Sequence, residues 1–517
     1  MPPAGRPFVK MPGVLRIPLH SGSRLPLVAV PDGASLLAAP PPLDPLADVR
    51  AAVVEALRYP LSGPPLQAVA PRDGRATVVV QPPTVPLPSV EDDPRRDALA
   101  AVLDELARHG VARERITVLV AGGLGRRAGR RELELLLRRD RARDFRGQIV
   151  VHDCEAESLR TLTAAGRVHR INPALVETDL VVTVGASETV LHGGAGALVD
   201  ACAPGTIREA GAVSLLEATT ASAWRLASAL ESAVGREVPV LGLSVVLDHP
   251  RVTGLYRGYP WDRNVRRALG RSPFRRLLNS APPLVRRRLL AGINRELRAV
   301  AVLAGPPSVA HAEALVRGVT VRSIQVAQPF DTIVVPVPWE GTQLPRGPLN
   351  PVSAAALGLG HVMRLWRDRP PLVEGGTIVL LHPFSRVTGD GEAPYRALLA
   401  SLRAEGDRRL RAAEGVASRD RRALSAYRNG NAPHPRLPFA EWASCAEMLS
   451  RAGRVIVAGC RDAGAARALG LVPSHNAATA LDMARGLAGD GGSTGVLLGP
   501  PYPPLVVTEP DDAGGAE

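Results

Sequence analysis

A chain of 517 residues, 45% hydrophobic, only 3% aromatic and with a formal charge of +13, is long enough for two or three α/β domains with aliphatic cores. It has no apolar run of the roughly 18 residues a membrane span needs, and its first twenty residues lack the unbroken apolar stretch of a secretory signal. Cys154, Cys202, Cys445 and Cys460 are scattered without metal or disulfide spacing, so a cytoplasmic location is expected. Lys10 is the only lysine, which excludes a Schiff base or a covalent lysine tether in the body of the chain.

In chain order, residues 1–60 read as an N-terminal extension with a proline-rich loop at 38–45. Continuous β-branched runs then predict strands at 77–81, 116–121, 149–152, 180–185, 238–247 and 300–303. Unbroken rather than alternating hydrophobicity suits parallel strands covered on both faces. A second proline-rich loop covers 81–88. The stretches "RRDALAAVLDELARHG" and "SLLEATTASAWRLASALESAVG" repeat apolar residues at helical spacing and are expected to close on Gly110 and Gly235. After a boundary between 305 and 330, runs at 332–337, 377–382, 454–458 and 495–498 predict a second set of strands. This alternation implies two Rossmann-like α/β domains with mainly parallel sheets and an interdomain cleft. They are placed at 61–310 and 320–505, with 506–517 as a disordered tail. No internal repeat of fixed period is present.

The segment 257–298 stands apart, with twelve arginines against Asp262 and Glu296 for a net +10. Trp261, Phe274, Leu277, Leu278, Leu289 and Leu290 lie among them. Such a pattern suits an anionic membrane surface, a nucleic acid or an acidic partner, or helices that simply pack on the domain with their charges solvated. It carries no specific nucleic-acid motif.

The stretch "VTVGASETVLHGGAGALVDACAPGTI" (182–207) delivers a buried strand into a glycine-rich loop, where backbone is expected to come close to something, often a ligand. Its surroundings run in a set order. Thr84-Val85-Pro86 follows the first strand, "VAGGLGRRAGRRELELLL" the second and His152-Asp153 the third; Gly193-Gly194 and Pro204-Gly205 come next. "VAVLAGPPSVAHAEAL", "PFDTIVVPVPW", "LVEGGTIVLLHPF" and "ALDMA" complete the series. Over roughly residues 60–505 this order resembles the nickel-pincer lactate racemase family, with 257–298 as an insertion.

The resemblance implies a two-domain fold with its site in the cleft. There, family enzymes hold a nickel pincer nucleotide tethered to a lysine and move a hydride at the Cα of a 2-hydroxy acid, with histidines as metal ligand and acid/base pair. The family's positions fall here on residues without that chemistry. The acid and arginine of its first turn fall on Pro82 and Val85, and a catalytic histidine falls on Gly125. A second histidine falls on Ala186, the tethering lysine on Gly196, and the glutamine and lysine of the C-terminal domain on Ser353 and Ala356. The expectation is a pseudoenzyme without the cofactor, binding a small anionic molecule or a partner. The alternative is a divergent 2-hydroxy-acid racemase or epimerase using rearranged residues.

Candidates for binding in the cleft are Thr84, Arg126, Arg127, His152, Asp153, Glu188, His192, Gly193, Gly194, Trp339 and His382. Arg126 and Arg127 suit an anion, or else stand as surface arginines at a helix start. His152, His192 and His382, with Asp153 or Glu188, make a weak metal set without close-spaced ligands. His311 reads as a packing residue. No phosphate-binding P-loop, dinucleotide fingerprint or nucleophile elbow is present.

Overall fold

Six β-branched runs build the first sheet. Its strand order is Ala299–Gly305, Val240–Leu247, Leu180–Ala186, Ala76–Val80, Ile116–Val120, Gln148–Val151. Every neighbouring pair is parallel except the first, where Ala299–Gly305 runs antiparallel to Val240–Leu247. That edge strand departs from the parallel expectation because the chain returns directly through the 257–298 excursion rather than through a crossover helix. The computed structural model describes residues 15–31, 33–82, 92–134, 136–137, 145–341, 347–386, 390–404, 407–489, 491–500 and 502–508.

The helix Pro94–Arg108 starts on Asp93, whose carboxylate accepts from Arg95 N, and stops before Gly110 as its spacing predicts. The helix Ser222–Glu237 runs through Gly235 instead of closing on it. A Cβ there would meet nothing, and the terminal bond comes from Val238 N to Val234 O. Between the sheet strands, Arg160–Ala164 and Arg167–Ile171 form a hairpin that hydrophobic runs alone did not announce.

The second sheet is ordered Val472–Ser474, Arg454–Ala458, Leu372–Leu381, Phe330–Pro338, Thr494–Leu498, Ser35–Ala38, all parallel. Its last strand comes from the segment expected to be an extension. Residues 15–38 join this half, with Ser21–Gly22 pairing on the end of Phe330–Pro338, while the helix Val49–Arg58 packs on the first half through Val53 and Leu57. The N-terminal segment therefore belongs to the second half before the chain enters the first. Near the C-terminus, Leu505–Val507 pairs with Ile324–Val326 and Trp366–Arg367, so the expected tail is ordered at its start; residues 509–517 lie outside the described residues.

The basic segment forms three helices, Arg263–Arg271, Pro273–Ser280 and Pro283–Ala291. Prolines at first helical positions begin the last two, where the missing N–H costs nothing. Leu278 and Leu290 are buried with Leu25 of the N-terminal strands and pack against Trp339, whereas Leu277 and Leu284 are exposed. The segment is thus seated on the second half by its apolar stripe.

Candidate functional site

The strand Leu180–Ala186 passes into the glycine loop at the heart of the first sheet. Gly193 and Gly194 have φ of +102° and +49°, a region that side chains disfavour. A Cβ on Gly193 would overlap Ala186 O and the His311 ring; one on Gly194 would overlap His311 Cβ and stand 2.7 Å from Pro307 O. The backbone of both glycines therefore packs closely against the helix Pro307–Arg322, while Gly193 also lines a small cavity. His311 is buried, bonds Thr189 O through Nε2 at 2.9 Å and stacks on Trp224 at 5.8 Å, the packing role its context suggested.

A cleft of about 270 Å³ opens beside this loop, with Pro82, Gly125, Gly196 and Asp200 on one wall and Leu437 and Ser444 of the second half on the other. Three positions where the resemblance places cofactor chemistry thus line it, without side chains suited to that chemistry. A lysine does not fit at Gly196, because its Cβ would stand 2.7 Å from Leu191 O. Ala186 is buried beneath the loop and lines a smaller adjoining cavity. Ser353 donates to Glu441 Oε2 at 2.8 Å, as does Tyr395 at 3.0 Å, and Ala356 opens the π-helical turn Ala356–His361. Thr84 and Val85 lie outside the described residues.

Asp200 is a cleft residue that motif reading missed. Gln81 bridges it to the loop: Gly193 N donates to Gln81 Oε1 at 2.6 Å, and Gln81 Nε2 donates to Asp200 Oδ2 at 2.5 Å. Burial pushes the Asp200 carboxyl up to about 7, against that hydrogen bond. The only local signal was an acid in an otherwise apolar "GALVDACA" run. Beside it, His192 lines the same cleft. Thr189 Oγ1 accepts from Leu191 N and His192 N, so its hydroxyl proton faces His192 Nδ1 at 3.1 Å and leaves the ring proton on Nε2. Burial holds His192 down to about 4.

Arg126, which lines the cleft, and Arg127 both bond across to the second half. Arg126 donates to Gly430 O at 2.6 Å and pairs with Glu132 at 2.8 Å; Arg127 donates to Arg428 O at 2.7 Å and Val151 O at 3.1 Å. Arg127 holds the last carbonyl of the helix Arg421–Arg428, and Arg126 that of Gly430 just past its C-cap, where cations suit the helix dipole. Asp153 faces Arg428 at 3.6 Å, and Glu155 accepts from His434 at 3.0 Å. These contacts clasp the two halves together.

Among the described residues no three ligand-type side chains gather at a metal-binding spacing. His152 is buried between Cys202 O at 2.9 Å and Asn172 Nδ2 at 3.1 Å, far in role from a ligand. Glu188 is buried in an ion cluster, 3.0 Å from Arg95, which also holds Asp93 at 2.8 Å. His382 and Trp339 line a separate cavity on the second half. The proposed metal set is thereby dispersed by the fold.

The buried titratable groups predict an acid- and base-sensitive fold. Burial holds His20, His152, His192 and His311 down to about 4 and His249, His361 and His382 down to about 3, from 6.5 when unfolded. Below pH 6.5 the unfolded chain therefore takes up protons that the folded chain refuses, and stability falls. Asp200 and Glu441, pushed to about 7, and Glu188, raised by burial to about 8, act with the opposite sign. Their contribution is present at low pH and lost as pH rises through those values. Burial raises Glu231 and Glu392 as well, yet the seven histidines outnumber these carboxyls. Thermal unfolding across pH should show a Tm maximum near pH 6.5; a Tm still climbing through pH 8 would refute it.

Residues 24–198 match the family model described as the lactate racemase N-terminal domain. Among solved structures, the chain is similar to the lactate racemase apoprotein of Thermoanaerobacterium thermosaccharolyticum. The identity is 16% and the TM-score 0.59, covering 96% of this chain and 100% of that one. A Thermotoga maritima protein is 11% identical with a TM-score of 0.48, covering 90% and 99% of the two chains. No curated protein sequence matches.

Proposed function

We propose that the chain, whose residues 24–198 match the lactate racemase N-terminal domain model, is a lactate racemase-like binding protein that does not perform nickel-pincer racemase chemistry. The observation that carries this reading is the cleft wall at Gly196. A tether there needs a lysine, the position has no room even for a Cβ clear of Leu191 O, and the sequence has no lysine after Lys10. Gly125 and Pro82 on the same wall offer no side chain to move a proton. The residues present do not fit the pincer nucleotide, and no step runs through it.

One observation favours a second reading, a divergent 2-hydroxy-acid racemase or epimerase. Asp200, with its pKa near 7 in a cleft, is poised for proton transfer at neutral pH. A single experiment separates the two. The protein is co-expressed with a pincer-nucleotide biosynthesis pathway, then assayed for nickel, intact mass and interconversion of L- and D-lactate. Bare mass, no nickel and no interconversion are expected. Stoichiometric nickel with a mass adduct, or interconversion abolished by Asp200→Asn, would overturn the binding-protein reading.

A further inference from the structure

Five arginines from four separate parts of the chain converge on one cavity of about 550 Å³ on the second half. Arg24 comes from the N-terminal strands, Arg286 and Arg287 from the basic segment, Arg386 follows the strand Leu372–Leu381, and Arg461 follows Arg454–Ala458. Among the described residues no carboxylate lines the cavity. Asp462, outside the lining, stands 3.8 Å from the exposed Arg386.

Like charges drawn together without acids repel one another, and an anion relieves that cost. Arg286 is buried and is held in place by Ser23 Oγ, which accepts from its Nε at 3.0 Å, and by Ala281 O. Its pKa is lowered first by burial, then by Arg24, Arg461 and Arg287. Arg287 lies over the Trp339 ring at 5.8 Å, and its Nε is buried without a hydrogen-bond partner. Neutral His382 accepts from Phe384 N through Nδ1, so its remaining proton sits on Nε2 as a donor. The first turn of the helix Ala477–Ala488 also borders the cavity. The position, outside the carboxyl ends of parallel strands, is where open α/β sheets take ligands, and the volume matches a small-molecule site.

We propose that this cavity binds a molecule carrying two or more phosphate groups, with Arg24, Arg286, Arg287 and Arg461 as its cationic contacts. The basic insertion then completes an intramolecular polyanion site rather than serving only as a charged outer face. The inference goes beyond the racemase question, because no residue lining this cavity lines the interdomain cleft. Either outcome of the nickel experiment leaves it standing.

The test is calorimetric titration of the full-length protein with inorganic pyrophosphate and ADP, against orthophosphate and lactate. Alongside it, flotation with phosphatidylcholine vesicles is run with and without cardiolipin, whose headgroup carries two phosphates. Arg24 and Arg461 are exposed, so Arg24→Glu and Arg461→Glu should keep the wild-type Tm while weakening pyrophosphate binding roughly tenfold each, as loss of one charged hydrogen bond implies. Selective flotation on cardiolipin, lost in the same variants, would assign the phosphates to a lipid headgroup; soluble binding alone assigns them to a free metabolite. No binding in either arm, or binding that both variants leave intact, overturns the proposal.

Discussion

Replacing Gly193 with alanine is expected to destabilise the protein by roughly 3–5 kcal/mol, from left-handed backbone strain and overpacking together. The φ of +102° opposes any side chain, and the new Cβ runs into Ala186 O and the His311 ring. Neither obstacle is the free end of a flexible chain. Ala186 O belongs to the central strand Leu180–Ala186, and the His311 ring is fixed by Thr189 O and Trp224. Combining Gly193→Ala with His311→Ala should recover only part of the loss, because the clash with Ala186 O and the backbone strain remain. Urea unfolding monitors both variants. A change under about 1 kcal/mol for Gly193→Ala would show that the loop yields easily and that its contact with the helix Pro307–Arg322 is not what sets its shape.

Removing Arg95 is the second change with a large expected effect. Its guanidinium is the shared partner of Glu188 at 3.0 Å and Asp93 at 2.8 Å, and both carboxylates are buried. Arg95→Met keeps the volume but leaves buried Asp93 without its ion-pair partner, which costs about 3–5 kcal/mol. The loss should shrink as pH falls, since protonation removes the uncompensated charge. Arg95→Lys, with a point charge in place of a fork, should fall between the two. A loss for Arg95→Met that is the same at every pH would overturn the electrostatic explanation and leave packing as the cause.

The sequence alone was enough to determine the two-sheet α/β architecture. Runs such as Ala76–Val80, Leu180–Ala186 and Arg454–Ala458 are unbroken and apolar because both of their faces are covered, and that requirement is written locally. The order of its motifs carried the lactate racemase likeness, and its lysine count bears on tether chemistry before any coordinate is known. The need for glycine at 193 and 194 was also legible, but not the object they approach, since His311 lies more than a hundred residues further along. Only tertiary structure could pair Ser35–Ala38 with Thr494–Leu498, turn Ala299–Gly305 antiparallel, or send Arg126 and Arg127 to the end of Arg421–Arg428. The charge of the basic segment could be counted in the sequence; its convergence with Arg24 and Arg461 on one cavity could not. Strand and helix patterning reports burial within a few residues, whereas pairing and charge convergence are set by the packing of segments hundreds of residues apart, which leave no mark on one another's local sequence.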